Sequence, residues 1–382
     1  MIPYGRQSIS DEDIKAVEDV LRSDWLTQGP AVPRFEQALC DATGAQFAVA
    51  ANSATSSLHA ACLALGLGEG GLLWTSPNTF VASANCALYC GADVDFVDID
   101  PVSRNMCVQA LADKLAAADR VPDIVVPVAF SGRSAEMDAL AKLANQYGFA
   151  VIEDASHAIG GSFMDAPIGC NDYADITIFS FHPVKIVTTA EGGAALTNSA
   201  ELEARLRLYC SHGVTRDPDL RARTDDPDPW SYDQIALGYN YRMTDMQAAL
   251  GASQMAQLPA FNRARAKLAR RYDELLADLP AKCPLPDDNR HKSGWHLYVV
   301  ELAQGIDRRK VFEVMRASGI GVNVHYQPVH TQPHYQALGF AEGDFPHAEN
   351  YYAQAISLPL YATLTEAEQD QVVTALRRAI DG

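Results

Sequence analysis

Three stretches of this 382-residue chain set reactive or anion-binding residue types at the ends of apolar runs. The first runs Ile178-Phe179-Ser180-Phe181-His182-Pro183-Val184-Lys185-Ile186-Val187 and continues through Thr188-Thr189-Ala190-Glu191 to Gly192-Gly193. Most lysines of the chain sit in polar or helical surface patterns where solvation accounts for them; Lys185 instead follows a strand that reads as buried. A desolvated lysine amine has a lowered pKa, attacks a carbonyl to form an imine, and then serves as a general base. A lysine whose stem snorkels from a strand end would give the same pattern. His182 is a ligand, a substrate contact or a packed turn residue, and the spacing leaves these open.

The second stretch, Ala150-Val151-Ile152-Glu153-Asp154-Ala155-Ser156-His157, is an apolar strand that ends in carboxylates. Ligands of open α/β sheets collect at the carboxyl ends of strands, so Asp154 either meets one or caps the following turn. Beside a pyridine nitrogen, an ionised Asp would keep that nitrogen protonated and make the ring an electron sink. In the third stretch, Ala50-Ala51-Asn52-Ser53-Ala54-Thr55-Ser56-Ser57-Leu58-His59, a strand gives way to small hydroxylated residues and then a helix. Free N–H groups at such a start hold a phosphate without a Gly-rich signature, although ordinary capping uses the same residues.

The elements needed to position these groups are legible as alternation. Short apolar runs at Phe47 to Ala50, Leu72 to Ser76, Val94 to Val97, Ile124 to Ala129, Ala150 to Glu153, Ile176 to Phe181 and Gly193 to Thr197 read as strands. Helical patterns fill Thr55 to Leu65, Phe80 to Cys90 and Ser134 to Tyr147, the sign of βαβ units and a mostly parallel sheet. Ser10 caps a first helix from Asp11 to Arg22, and Trp25 to Pro30 follows as a turn-rich loop. The crowd of Asp, Pro and Arg from Arg216 to Trp230 reads as a long surface loop. A helical region from Thr244 to Leu276, a strand from His296 to Glu301, a helix from Arg308 to Ser318 and a strand from Gly321 to Tyr326 suggest a separate α+β unit. A last helix opens on the capping-box pattern Thr365-Glu366-Ala367-Glu368. The expected division is a large domain over 1–255 and a smaller C-terminal one over 256–382.

With 48% apolar residues and no low-complexity tract the chain is globular. Its formal charge of -18 disfavours binding to nucleic acid or an anionic membrane. No apolar run spans a bilayer and the N-terminus lacks a signal-peptide pattern, so the cytoplasm is the expected compartment. The eight cysteines show no zinc-finger spacing and read as buried thiols, with no metal expected.

At Phe179 to Gly193, with the Asp154 and Thr55 segments in order and spacing, the chain resembles the fold-type-I pyridoxal-phosphate (PLP) enzymes, specifically the DegT/DnrJ-type sugar-nucleotide aminotransferases. The resemblance covers essentially the whole chain. It implies an α/β fold with a mostly parallel seven-stranded sheet, PLP as cofactor joined to Lys185 as a Schiff base, and Asp154 paired with the pyridine nitrogen. It further implies that Phe80 stacks on one ring face, that His157 lies near the ring and its 3-hydroxyl, and that the backbone at Ala54 and Thr55 and the hydroxyl of Ser180 bind the cofactor phosphate. Relatives are usually homodimers with shared sites, and Gly238-Tyr239-Asn240-Tyr241-Arg242-Met243-Thr244 matches the segment whose Asn reaches the partner's phosphate. Many relatives have Gly before the phosphate-loop Thr and Gln where His157 stands. Relatives acting as sugar 3-dehydratases carry His in place of the Schiff-base lysine, which Lys185 argues against.

The phrase around Lys185 and His325-Tyr326-Gln327-Pro328-Val329-His330 look most like the pseudaminic-acid branch, whose members aminate carbon 4 of a UDP-linked 4-keto-6-deoxy sugar. The expected reaction is ping-pong transfer from L-glutamate to the nucleotide sugar, with Tyr4, Trp25, Gln28, His182, His325 and Tyr326 as sugar-nucleotide contacts. The rival readings are an aminotransferase or dehydratase on another keto nucleotide sugar, a catalytically silent PLP-binding regulator, and a PLP-free nucleotide-sugar binder.

Overall fold

The computed structural model describes residues 1–217, 220–221 and 228–381; the expected loop from Arg216 to Trp230 therefore lies largely outside the described residues. The first half of the chain alternates helix and strand as α1 (Asp11–Leu21), α2 (Ala31–Thr43), β1 (Phe47–Ala51), α3 (Ala54–Ala64), β2 (Leu72–Thr75), α4 (Ala82–Tyr89), β3 (Asp93–Phe96), α5 (Val108–Ala117), β4 (Ile124–Val126), α6 (Met137–Tyr147) and β5 (Ala150–Asp154). The short pair β6 (Ser162–Phe163) and β7 (Ala166–Pro167) precedes β8 (Ile176–Ser180), β9 (Gly193–Thr197) and α7 (Ala200–Cys210). After the two-residue strands β10 (Val214–Thr215) and β11 (Asp233–Gln234) comes α8 (Asp245–Leu275). The remainder comprises β12 (Ala281–Lys282), β13 (His291–Lys292), β14 (Tyr298–Leu302), α9 (Arg308–Ala317), α10 (Pro333–Gln336), α11 (Pro346–Gln354), β15 (Ala355–Leu358) and α12 (Glu366–Asp381).

The seven-stranded sheet has the order β1-β9-β8-β5-β4-β2-β3. Only β9 runs antiparallel to its neighbours. Apart from the edge strand β3, which alternates with Asp93 exposed and Val94 and Phe96 buried, the sheet's strands are buried on both faces and accordingly read as near-continuous apolar runs. On one face α3, α4 and α7 pack through Leu58, Ala61, Cys62 and Leu206; on the other, α5 and α6 pack through Leu111 and Leu140 onto Trp74 and Val125. The smaller sheet, β12-β14-β15, is covered by α9 and α12 through Val311, Met315, Val372 and Leu376.

Helix α8 joins the two parts without a break. Met255, Leu258 and Phe261 pack with Phe35, Phe181 and Ile186, and about two turns further on Leu268 and Tyr272 pack with Tyr298 and Leu364. Ser10 caps α1 as expected and forms a capping box with Asp13, and the expected capping box of Thr365 with Glu368 opens α12.

The expected strand from Gly321 to Tyr326 is not one. Its backbone groups are used singly: Gly321 N donates to Ile2 O, and Asn323 exchanges bonds with Ser357. No ladder continues beyond these bridges because the chain then turns toward the large sheet, where Tyr326 N donates to the Asn78 side chain at 3.4 Å. Helix α2 was not foreseen, although Phe35 and Leu39 on it are fully buried; Pro33 within its first turn reads as a breaker, but is tolerated there because those N–H groups have no intrahelical acceptor.

Candidate active site

Register brings the expected chemistry to one sheet edge. Ala51 at the end of β1 pairs with Gly193, Gly193 pairs with Ser180 at the end of β8, and Asp154 ends the adjacent β5 opposite Ile178. Ser53 caps α3 by accepting the Ser56 amide at 3.1 Å, and Ser57 N returns to Ser53 O. The amides of Ala54 and Thr55, in the first turn, have no intrahelical acceptor and remain open to an anion. A Cβ at position 193 would lie 2.3 Å from Ala54 N, so only glycine lets β9 approach the helix start this closely.

The turn between β8 and β9 carries Lys185. Phe181 N donates to Gly192 O, Thr189 N to Phe181 O, and Lys185 N to His182 O. Phe181 anchors it edge-on against Phe35 at 5.0 Å, and burying such a ring stabilises the turn by about 1.5–3 kcal/mol. The Lys185 side chain is partly buried, and burial pulls its amine down to about 8 against the opposing charge of Asp154. A usable fraction of neutral amine is thereby present near neutral pH. Asp154 is buried; Oδ2 accepts the Ser83 hydroxyl at 2.6 Å and Oδ1 the Ser156 amide at 3.1 Å.

Above this edge stands a group of rings. Phe80, at the turn into α4, is exposed, with its centroid 6.4 Å from that of Tyr326. Tyr326 Oη lies 3.1 Å from His157 Nε2. Ser131 N donates to His157 Nδ1 at 3.2 Å, which places the imidazole proton on Nε2, where it donates to Tyr326. Burial, reinforced by the Lys185 charge, depresses the pKa of His157 and His296, and lowers His325 to about 3. Three neutral imidazoles thus surround one lysine; they supply hydrogen-bonding groups without adding charge.

Ser131 is held at φ 62°, a left-handed backbone that costs a non-glycine residue about 1–3 kcal/mol. Its hydroxyl donates to Leu297 O at 2.8 Å and its carbonyl accepts His296 N at 3.0 Å. Arg265 on α8 is buried and donates through Nη1 to the carbonyls of Trp295, His296 and Leu360 at 3.0–3.3 Å. These clamps lock the strand entering the smaller sheet against the large one.

The structure brings Lys185, Asp154, His157, Phe80, His325 and Tyr326 into one neighbourhood, with Ala54, Thr55 and Ser180 on the same sheet edge. Tyr4 joins them, its ring 5.5 Å from His325. It does not bring Trp25 or Gln28 to Lys185 within one chain: Asp245 accepts the Gly29 and Ala31 amides at 2.8 and 2.9 Å and turns that loop toward the start of α8. Gln28 instead lines a cavity of about 690 Å³ with Arg205, Arg207 and Arg242. The His182 side chain is exposed on the turn. Asn240 is exposed; its carbonyl accepts the Asn52 side chain at 3.3 Å. Ser83, Ser131, Arg265 and His296 were not read from the sequence. His296 carried one weak signal, a histidine entering an apolar strand.

An amine beside a buried carboxylate and an open helix start on one sheet edge form a donor set suited to a phosphorylated pyridine aldehyde. The sequence pattern of the DegT/DnrJ/EryC1/StrS aminotransferase family matches residues 7–377. The chain belongs to this family. DegT/DnrJ enzymes are PLP-dependent and aminate nucleotide sugars at the expense of an amino donor. The chain is 36% identical to the spore coat polysaccharide biosynthesis protein SpsC of Bacillus subtilis, over its whole length and 97% of that protein. Helicobacter pylori PseC, described as an aminotransferase involved in the biosynthesis of pseudoaminic acid, superposes with a TM-score of 0.90 at 30% identity, covering 100% of this chain and 99% of that one. The PMP form of the putative sugar aminotransferase Spr1654 of Streptococcus pneumoniae gives 0.91 at 27% identity, with coverage of 100% and 99%.

Proposed function

We propose that this enzyme moves an amino group from L-glutamate to carbon 4 of a UDP-linked 4-keto-6-deoxy-N-acetyl hexose on the route to pseudaminic acid. The observation that carries the reading is the pair His325 and Tyr326, which begin the branch-like segment through His330 and stand beside Phe80 and His157. The whole-length likeness to PseC supports it. Purified protein given glutamate and the 4-keto nucleotide sugar should yield a 4-amino sugar whose stereochemistry NMR assigns; unchanged keto sugar would refute this substrate. The identity to SpsC supports a second reading, amination of another keto nucleotide sugar for a surface polysaccharide, which the same product analysis distinguishes.

Bound PLP supplies a carbonyl that captures amines and a ring that takes up electrons from an adjacent carbanion. In this proposal Lys185 Nζ holds the cofactor at rest, and its freed amine moves the proton at the donor α-carbon and, in the second half-reaction, at carbon 4 of the sugar. Asp154, oriented by Ser83 and Ser156, keeps the pyridine nitrogen protonated. Phe80 covers one ring face, and Ala54, Thr55 and Ser180 hold the phosphate. His157, fixed in its Nε2–H form, would lie beside the ring and its 3-hydroxyl. Tyr4, His325 and Tyr326 contact the sugar nucleotide.

The working unit is a homodimer in which Asn240 reaches the partner's phosphate, and Trp25, Gln28 and His182 complete the sugar-nucleotide site from the subunit boundary. Support comes from large apolar side chains left open in the single chain: Leu237 is 74% and Trp230 70% exposed. The division into 1–255 and 256–382 would fall within α8, inside the part packed with Phe181 and ahead of the part packed with Tyr298.

A further inference from the structure

We propose that Asn323 and Ser357 are positioning residues that hold His325 as its Nδ1–H tautomer, so that Nε2 offers a lone pair to a hydrogen-bond donor of the sugar. This rests on the reading that Tyr4, His325 and Tyr326 contact the sugar nucleotide, and adds which kind of group the imidazole selects.

Ser357 lies in β15 and is fully buried. Its Oγ stands 2.7 Å from His325 Nδ1, a pair in which either atom could donate. Asn323 decides between them. Its Oδ1 accepts the Val324 amide at 2.9 Å; a backbone N–H can only donate, which fixes which end of the Asn323 side chain is oxygen and which is nitrogen. Nδ2 then faces His325 Nε2 at 3.4 Å. A proton on Nε2 would set two donors head to head, so the lone pair belongs on Nε2 and the proton on Nδ1, where it donates to Ser357. The same conflict excludes the doubly protonated ring, in line with the burial that depresses the His325 pKa.

The two positioning residues are locked to each other. Asn323 N donates to Ser357 O at 3.3 Å, and Ser357 N to Asn323 O at 2.8 Å. Tyr351 Oη donates to the His325 carbonyl at 3.1 Å, and the rings of Tyr4 and Tyr326 lie 5.5 and 4.9 Å from the imidazole. The 3.4 Å contact is long for a hydrogen bond, so it sets the tautomer and leaves Nε2 a stronger bond to gain from a ligand. His157 carries its proton on Nε2 and His325 on Nδ1, so one imidazole of the cluster gives a hydrogen bond where the other takes one. A sugar without the matching hydroxyl or amide N–H leaves the buried acceptor poorly paired and is disfavoured.

The test is the 15N spectrum of the PLP-loaded enzyme labelled at its ten histidines, with His325 assigned by the signals lost in His325→Gln. The expected His325 signals are those of a protonated Nδ1 and an unprotonated Nε2. Asn323→Asp puts an acceptor opposite Nε2 and should draw the proton there. Ser357→Ala should raise KM for the 4-keto nucleotide sugar about tenfold, the scale of one hydrogen bond, with the glutamate half-reaction unchanged. Analogues lacking the 3-hydroxyl or the N-acetyl amide identify the donor: the analogue that lacks it binds wild type and Ser357→Ala alike. Should Ser357→Ala fail to fold, the spectra of wild type and Asn323→Asp decide. A proton on Nε2 in the wild type, an unmoved proton in Asn323→Asp, equal loss in both half-reactions, or sensitivity to Ser357→Ala kept by both analogues overturns the proposal. A wild type that leaves the keto sugar unchanged refutes the substrate reading alone, and the two spectra still decide the tautomer.

Discussion

The sheet edge that carries Lys185 and Asp154 and the ring cluster above it are built on opposite principles. At the edge, each functional residue ends a strand or begins a helix, so its position follows from local pattern: Asp154 closes β5 and Ser53 caps α3. In the ring cluster His296, His325 and Tyr326 come from chain more than a hundred residues beyond the β8–β9 turn. His296 is held by the Ser131 carbonyl and Arg265, His325 by Ser357, and Tyr326 by Asn78 and His157. The edge supplies charge, an amine and an open helix start; the cluster supplies neutral hydrogen-bonding groups and shape. Reaction chemistry thus rests on regular structure, and specificity on segments clamped by side chains.

The sharpest way to test that division is to remove the amine. Lys185→Ala should lower turnover by at least ~10³-fold, the scale of a lost general base with its covalent role added, while phosphate-loop binding of PLP persists; activity near wild type would contradict the role of the edge. Asp154→Asn is expected to cost ~10²–10³-fold, as for loss of a preorganised electrostatic partner. Because the Asp154 charge raises the Lys185 pKa against desolvation, removing it should also move the pH midpoint of cofactor capture, near 8 in the wild type, to lower pH. A stopped-flow pH series checks the sign, and an unmoved midpoint would separate the two residues.

On the cluster side, Tyr326→Phe removes only the acceptor of His157 Nε2–H. It should slow the sugar half-reaction by about tenfold, roughly the 1.4 kcal/mol of one strong hydrogen bond, and leave the glutamate half-reaction close to normal. Equal loss in both halves would place Tyr326 with the edge instead.

The last expected effect is on stability rather than on rate. Glu153 points to the other face of β5, is buried, and bonds to the Ser134 and Thr177 hydroxyls. Burial pushes its carboxyl up to about 7. The folded state therefore holds this proton more tightly than the unfolded one, so its contribution is full below about pH 4.5 and is lost as pH rises through 7. The total is at most ~3 kcal/mol, from about 1.4 kcal/mol per pKa unit. Glu153→Gln should flatten that part of the unfolding free energy measured against pH; an unchanged slope would remove Glu153 as its source.

The comparison also explains what was legible in the sequence. All seven strands of the main sheet were foreseen: strands buried on both faces leave apolar runs between turn residues, and the edge strand β3 continues from Val94 and Phe96 into the buried Val97. The Phe179 to Gly193 phrase marked the lysine because its turn is closed by its own neighbours. The strand expected over Gly321 to Tyr326 failed because apolar and β-branched residues there serve single bridges and site contacts rather than a ladder. Ser131 gave no signal, since a left-handed serine is fixed by Leu297 and His296, partners more than 160 residues away. Helix α2 was hidden by Pro33, which sits where a helix tolerates it.

The most direct test of the central claim is the visible absorption of the PLP-loaded protein titrated with L-glutamate. Loss of the visible band, restored by 2-oxoglutarate and absent in Lys185→Ala, is the result expected of an aminotransferase that carries its cofactor on Lys185. A protein that shows no visible band after incubation with PLP, or whose band survives every amino donor, would contradict the account.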